Sequence, residues 1–218
     1  MRIAVLISGS GSNLQALLDE QGAGRLPGSV VEVLSNRADA RGLQRAADAG
    51  VATTVFDHRA YDTREAFDAA VANHLQRLGI DLVVLAGFMR ILTPTLIAPF
   101  AGRILNIHPS LLPDFRGLHT HERALDAGVQ EHGCTVHFVT PELDAGPPIC
   151  QGVVPVHTDD TPEALARRVQ AQEHRIYPLA VRWYTSGRLT LADDGPWLDG
   201  RRLDAPVRVH AEDDVDAW

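Results

Sequence analysis

Ile3-Ala4-Val5-Leu6-Ile7-Ser8-Gly9-Ser10-Gly11-Ser12-Asn13 opens the chain with an apolar run, a glycine turn and the start of an amphipathic stretch that continues to Glu20. A short run that is apolar throughout fits a strand covered on both faces, and glycines behind it allow the sharp entry into a helix. The alternation then repeats: Val30 to Leu34 with Ala40 to Ala49, Thr53 to Phe56 with Arg64 to Leu78, then the runs Leu82 to Leu85 and Ile104 to His108. Strands alternating with helical stretches predict an α/β fold, Rossmann-like, with a mostly parallel twisted sheet and helices on both faces.

Beyond His108 the pattern changes. Pro109, Pro113 and Gly117 mark a long loop, followed by a short helix (His121 to Ala127), a strand (Cys134 to Val139), the turn-rich Pro141 to Pro148 and a strand (Ile149 to Pro155). A loop of that length inside a compact domain is usually functional. Thr161-Pro162-Glu163 begins the last long helix, with a capping residue ahead of a proline at the first helical position. We expect one domain over residues 1–195 and a surface extension, rich in Asp and Arg, over residues 196–218.

With 218 residues, 45% hydrophobic and 22% charged, the chain is long enough for an ordinary core. A net charge of -8 argues against nucleic acid as a partner, because phosphate backbones need clustered Lys and Arg. The first apolar run is too short for a secretory signal, and the two cysteines fit a reduced, cytoplasmic protein. No stretch approaches the roughly 20 apolar residues of a membrane helix, so no membrane role is expected.

The turn Ser8 to Asn13 delivers backbone N–H groups at a helix N-terminus, which carries partial positive charge and suits a phosphate. A tight turn needing glycine only for its angles is the plainer alternative. As a dinucleotide fingerprint the turn is incomplete: Leu14 stands where the third glycine would be, and Ser35-Asn36-Arg37 lacks the acidic residue of an NAD site. A monophosphate fits better.

In Arg103 to Pro109, strand alternation puts Ile104, Asn106 and His108 on one face. An amide donor beside an imidazole, at the carboxyl end of a parallel strand, suits a reaction in which negative charge develops on a carbonyl oxygen. A lone histidine would read as a satisfied core residue; the pair followed by Pro109-Ser110-Leu111-Leu112-Pro113 favours function. Asp144 sits in a turn, where aspartate is commonly a turn former, yet as a partner it would hold His108 protonated and help move protons. Glu173 projects near the stripe of Leu165, Val169 and Ile176. Either sugar hydroxyls or a structural pairing with Arg168, Arg175 or His174 would account for it.

Ten histidines invite a metal reading around His119-Thr120-His121, with His108, His132 and His137 as further ligands. Neither HExxH nor CxxC is present, and we expect no metal. Gly9-Ser10-Gly11 is not the elbow of a serine hydrolase.

Gly87-Phe88-Met89-Arg90-Ile91-Leu92, Asn106-Ile107-His108-Pro109-Ser110-Leu111-Leu112-Pro113, Gly117-Leu118-His119, Asp144 and Gln172-Glu173-His174, together with the opening turn, resemble the folate-dependent formyltransferases to about Leu191. The opening turn and Glu173 narrow the resemblance to the branch that formylates glycinamide ribonucleotide. That resemblance implies 10-formyltetrahydrofolate as formyl donor and co-substrate, glycinamide ribonucleotide as acceptor, no metal, and a monomer or homodimer. It implies catalysis by Asn106, His108 and Asp144, a ribonucleotide site at Gly11, Ser12, Asn13 and Glu173, and a folate pocket. The pocket would use Arg64, Met89, Arg90, Ile91, Leu92, Asn106, Thr140, Pro141, Glu142, Leu143 and Asp144. The nearest rival is a 10-formyltetrahydrofolate hydrolase with the same triad, expected to carry an added N-terminal domain. A tRNA formyltransferase should carry a further C-terminal domain and a basic surface. From another class, a nucleotide-sensing module would keep the turn and tolerate loss of Asn106 or His108.

Overall fold

The computed structural model describes residues 1–218. The chain divides into two compact units, residues 1–106 with 139–141, and residues 107–138 with 142–218.

The first unit runs β1 (Arg2–Ile7), α1 (Ser12–Gly22), β2 (Ser29–Ser35), α2 (Arg41–Asp48), β3 (Ala52–Val55), α3 (Arg64–Arg77), β4 (Leu82–Leu85), α4 (Pro94–Ile97) and β5 (Ile104–His108), the last strand ending in the second unit. Pairing within it is wholly parallel, in the order β5-β4-β1-β2-β3. Ile3 to Ile7 are all 0% exposed, which explains a first strand with no polar alternation. The chain moves outward from β1 through β2 to β3, then returns past β1 to β4. Right-handed crossovers therefore place α1 and α2 on one face and α3 on the other. The direction reverses between β1 and β4, so their carboxyl ends form the switch point where such sheets take ligands.

Residues Phe67, Val71 and Leu75 of α3 form one buried cluster with Ala4, Leu6, Val83, Leu85, Phe100 and Ile104. Each large side chain buried there contributes about 1.5–3 kcal/mol. Thr63 caps α3, its hydroxyl accepting from the Ala66 N–H at 3.1 Å. The short α4, started by Pro94, had no periodicity by which to be read.

The second unit contains α5 (Thr120–Asp126), β6 (Glu131–Phe138), β7 (Pro148–Pro155), α6 (Pro162–Thr185), β8 (Leu189–Ala192), β9 (Gly195–Leu198), β10 (Arg201–Arg202) and β11 (Val207–Val209). Strands β6 and β7 are antiparallel, β11 lies parallel on β7, and β8 to β10 form a separate antiparallel sheet. The sheet pairings outside that small sheet are thus mostly parallel, as expected from the sequence.

Two glycines permit close packing here, Gly133 of β6 against the β7 backbone and Gly152 of β7 against α6. A Cβ on Gly133 would stand 1.9 Å from the Gly152 carbonyl oxygen, and one on Gly152 would stand 2.8 Å from the Gln172 Cβ. Thr161 and Pro162 start α6 as read from the sequence, the threonine hydroxyl accepting from the Ala164 N–H at 3.2 Å. Residues 196–218 supply β10, β11 and most of β9, and Val209 is fully buried. No helix is long and apolar enough to cross a membrane.

Candidate active site

At the turn between β1 and α1, Gly11 adopts φ +71°, and a Cβ there would lie 2.7 Å from the Gly42 Cα. Close approach of α2 therefore explains this glycine without any ligand. What the turn offers a ligand is backbone: α1 has neither a side-chain cap at its N-terminus nor an acidic residue in its first turn. Ser12 is half-buried and Asn13 is buried. Arg45 braces the turn from α2, donating Nε–H to the Ser10 carbonyl at 2.9 Å.

Ser8 ties three segments of the first unit together. Its hydroxyl donates to Asn36 Oδ1 at 2.6 Å and accepts from the Met89 N–H at 2.8 Å, while its own N–H donates to the Gly87 carbonyl at 3.2 Å. This fixes one end of Met89 to Leu92. The other end is fixed by Asp68, 1% exposed, whose Oδ2 accepts from both the N–H and the hydroxyl of Thr93 at 2.5 and 2.8 Å. Burial pushes the Asp68 carboxyl up, against the two Thr93 hydrogen bonds. Between the clamps, Met89 and Ile91 are 67% and 51% exposed, Leu92 is buried, and the Arg90 guanidinium lies 5.4 Å from the Phe67 ring centre. Arg64 is the exposed first residue of α3; Thr140 is half-buried and Pro141 exposed.

On β5, Asn106 pairs in register with Leu85 and is half-buried, and His108 follows two residues on with 6% exposure. Strand alternation puts both side chains on one face. Both His108 ring nitrogens face oxygen acceptors. Nε2 is 3.0 Å from the Phe115 carbonyl, and Nδ1 is 3.4 Å from Asp144 Oδ2, an ion-pair distance. A ring so placed can donate from both nitrogens, the arrangement that an imidazolium requires. The Asp144 side chain is 7% exposed, adopts φ +50°, and accepts the Gly117 N–H at 3.1 Å on the oxygen that faces His108. Its other oxygen lies 3.9 Å from His137 Nε2. Burial lowers the His137 pKa, opposed by the Phe138 carbonyl 2.9 Å from Nδ1 and by Asp144.

The loop that supplies the Phe115 carbonyl is held by buried polar groups. The Thr135 hydroxyl donates to the Ser110 carbonyl at 2.7 Å and accepts from the Leu112 N–H at 3.0 Å. Gln151 Nε2 donates to the Leu112 carbonyl at 2.8 Å and to the Thr135 hydroxyl at 3.1 Å. The Thr120 hydroxyl donates to the Pro109 carbonyl at 2.7 Å. Phe115, at φ +54°, has its ring edge-on to His132 and beneath Arg123. His132 Nε2 is 3.2 Å from His121 Nδ1, and burial, reinforced by the neighbouring histidines, lowers its pKa to about 4.

Glu173 is half-buried on α6, and its charge adds to burial in pushing the Cys134 thiol up. Arg168, one partner considered for it, instead forks onto Asp160 with two 2.7 Å contacts. Arg175 donates to Gln172 Oε1 at 2.8 Å and to carbonyls near the C-terminus.

The structure thus brings His108 to Asp144, gathers Gly11, Ser12 and Asn13 at one helix start, and presents Met89 to Leu92 as one clamped segment. Glu142, exposed, faces Arg116 at 3.3 Å, and Leu143 is 50% exposed. Reading the sequence missed Ser8, Asp68, Phe115, Thr135 and Gln151. It considered His132 and His137 only as metal ligands, although no group of three or more His, Cys, Asp or Glu is arranged to hold a metal. A signal for Gln151 was present, since a polar residue on a strand that is otherwise apolar must satisfy something, whereas Thr135 shares β6 with Glu131, His132 and His137 and does not stand out. A carbonyl acceptor such as that of Phe115 leaves no signal in side-chain identity. A further cleft of about 330 Å³, lined by Asn36, Arg37, Asp39, His58 and Arg59, lies beyond the carboxyl ends of β2 and β3.

Comparison with known proteins gives consistent matches. The model of a family described as formyl transferase matches residues 1–181. The phosphoribosylglycinamide formyltransferase of Escherichia coli K12 is 51% identical over 214 residues, covering 98% of this chain and 100% of that protein. The structure of a phosphoribosylglycinamide formyltransferase from Coxiella burnetii superposes with a TM-score of 0.91 at 45% identity, covering 95% of this chain and 98% of that one. A glycinamide ribonucleotide transformylase from Symbiobacterium toebii superposes with a TM-score of 0.88 at 54% identity, covering 91% and 93%.

Proposed function

The chain belongs to the formyl transferase family, and from that premise we propose that it moves the formyl group of 10-formyltetrahydrofolate to the amine of glycinamide ribonucleotide, a step of purine synthesis. The observation that carries this reading is the buried His108, with an oxygen acceptor at each ring nitrogen. With both ring nitrogens engaged by Phe115 and Asp144, a charged ring acts on a developing oxyanion through its fixed field, and the hydrogen bond to that oxygen is left to Asn106.

In the proposed reaction the amine nitrogen attacks the formyl carbon and the carbonyl electron pair moves to oxygen. The Asn106 amide and the His108 imidazolium stabilise that oxyanion. Collapse breaks the bond from carbon to the folate nitrogen, and the proton lost by the amine is delivered to that nitrogen. Asp144 holds His108 in orientation and assists this transfer, directly or through a water. No covalent enzyme intermediate and no metal enters the reaction so written.

The N-terminal turn of α1, with Gly11, Ser12 and Asn13, would take the phosphate, and Glu173 the ribose hydroxyls. Exposed Met89 and Ile91, with Arg64, Arg90, Leu92 and the segment Thr140 to Asp144, would line the folate slot. The exposed apolar residues support this, since a pterin ring needs an apolar surface beside a few polar groups.

The test is the absorbance change for loss of the formyl group, recorded with glycinamide ribonucleotide present and again with water as the sole acceptor. Turnover dependent on the ribonucleotide supports the transferase. Turnover without it makes the protein a hydrolase, and none in either case removes the catalytic reading.

A further inference from the structure

The residues after α6 lie beyond the family match, which ends at residue 181, yet they are bound closely to the second unit. Strand β11 pairs with β7 through Val207↔Cys150, Arg208↔Gln151 and Val209↔Gly152, and Val209 is fully buried. Three arginines grip the backbone that follows. Arg175 donates to the His210 carbonyl at 2.8 Å and to that of Asp213, Arg182 to that of Val215 at 2.6 Å, and Arg188 to that of Trp218 at 2.5 Å. Arg175 and Arg182 are two helical turns apart on one face of α6. Because the acceptors are carbonyls, the grip depends on the path of the tail rather than on its side chains. The tail fixes that path itself: Asp213 Oδ2 accepts the His210 N–H at 2.7 Å.

Arg175 does more than hold the tail. The same NH1 that reaches His210 also donates to Gln172 Oε1 at 2.8 Å, and Gln172 is 3% exposed against the site where Gly152 has no side chain. Gln172 Nε2 in turn faces the Val153 carbonyl at 3.4 Å. Held also by the tail carbonyls, this guanidinium fixes the Gln172 side chain where it packs on Gly152, and ties α6 to the tail and β7 beside the next residue, Glu173. On the strand side, β11 lies against residues 150–152, which include Gln151, the side chain that anchors Leu112 and Thr135. The tail therefore braces α6 and β7 where Gly152 meets Gln172.

We infer that the C-terminal tail, acting through Arg175, positions Glu173 for the ribonucleotide, so that Arg175 is a positioning residue for that substrate. The inference rests on the reading of Glu173 as the ribose ligand. A tail that served only general stability would move both Michaelis constants together, or neither.

Steady-state kinetics of the full chain, with each substrate varied in turn, separates these cases. Arg175→Ala is expected to raise KM for glycinamide ribonucleotide about tenfold, with kcat and KM for 10-formyltetrahydrofolate changed by less than about twofold. Arg175→Lys, which keeps the charge but lacks the second nitrogen that reaches the Asp213 carbonyl and the planar geometry that spans Gln172, His210 and Asp213, should show the same selective change at about threefold. It also serves as the readout if the alanine variant does not fold. Arg182→Ala loosens the tail away from Glu173 and should lower the melting temperature without a selective rise in the ribonucleotide KM. An unchanged ribonucleotide KM in folded Arg175 variants, or equal rises for both substrates, overturns the inference while leaving formyl transfer intact. Absence of turnover in the unaltered chain instead overturns the formyl-transfer reading, and this inference with it.

Discussion

The loop from Pro109 to His119 in the second unit and the segment from Gly87 to Thr93 in the first each hold residues given a role in the proposed reaction, but they are built in opposite ways. The first is pinned along its length by buried hydroxyl and amide groups of Thr120, Thr135 and Gln151, and it presents a backbone carbonyl to His108. The second is clamped only at its ends, by Ser8 and Asp68, and leaves Met89 and Ile91 in solvent. Groups that stabilise a developing charge must already be in place when the charge appears, because reorganising them costs free energy at the barrier. An apolar surface for a ring needs only to be held in the right area, and the ligand completes its burial. The difference predicts that damage to the first region lowers kcat and damage to the second raises a Michaelis constant.

The largest effect should follow from removing the group that the first region holds. His108→Ala should lower kcat by about a thousandfold, the scale seen when an oxyanion-stabilising donor is lost, with a lower melting temperature because the Phe115 carbonyl and the buried Asp144 lose their partner. A variant within about tenfold of the unaltered kcat would remove His108 from the chemistry.

Next comes the scaffold of that loop. Thr135→Val keeps the shape but strands the Leu112 N–H and deprives the Ser110 carbonyl of its donor, both in buried surroundings, while Gln151 Nε2 loses one acceptor and keeps the Leu112 carbonyl. The expected cost is about 3 kcal/mol of stability, from two buried groups left unpaired. With the Phe115 carbonyl less fixed, kcat should fall about tenfold while both Michaelis constants hold within about twofold. Chemical denaturation alongside kinetics checks both parts. A rise in KM alone would show that the loop shapes binding and not chemistry.

In the second region, Asp68→Asn and Ser8→Ala each release one end of the segment. Either should raise KM for 10-formyltetrahydrofolate, by about tenfold for Asp68→Asn and less for Ser8→Ala, without a matching change for the ribonucleotide. If kcat falls instead, the contrast between the two regions is wrong.

These residues also mark where the sequence stopped being legible. The first strand, its turn and its helix were readable because apolar runs and glycines report local backbone. Asn106 and His108 were readable because two polar residues at strand spacing on one face stand out. Ser8 was hidden by its neighbours, since a serine among glycines reads as a turn former although it bridges Asn36 and Met89. Asp68 resembled any solvated helix residue until the fold placed Thr93 over it. Strand β11 is three residues long and pairs with β7 across the whole of α6, so no local pattern announced it. What the sequence withheld was contact between distant segments, and the hold that Arg175, weighed in the sequence only as a partner for Glu173, has on the tail is of that kind.

The smallest effect separates the two regions by pH. Burial depresses the pKa of His132 from 6.5 to about 4, and His121 and His137 shift in the same direction, chiefly through burial. A histidine whose folded pKa is lowered contributes stability that is whole above its unfolded value and is lost as pH falls towards the folded one, because the unfolded chain binds the proton first. Asp68 behaves otherwise: burial raises its folded pKa, so lowering the pH through its titration costs the fold nothing relative to the unfolded chain. Acid should therefore loosen the loop around Phe115, whose ring meets His132 edge-on, before it disturbs the segment held by Asp68. At pH 5.5 the loss from His132 alone amounts to about 1 kcal/mol. His132→Asn should flatten the fall in melting temperature between pH 6.5 and 5, in proportion to that amount. Hydrogen exchange over the same range should show the amides of residues 109–119 opening first. Equal opening of residues 87–93 would mean that the two regions do not differ in how they answer to acid.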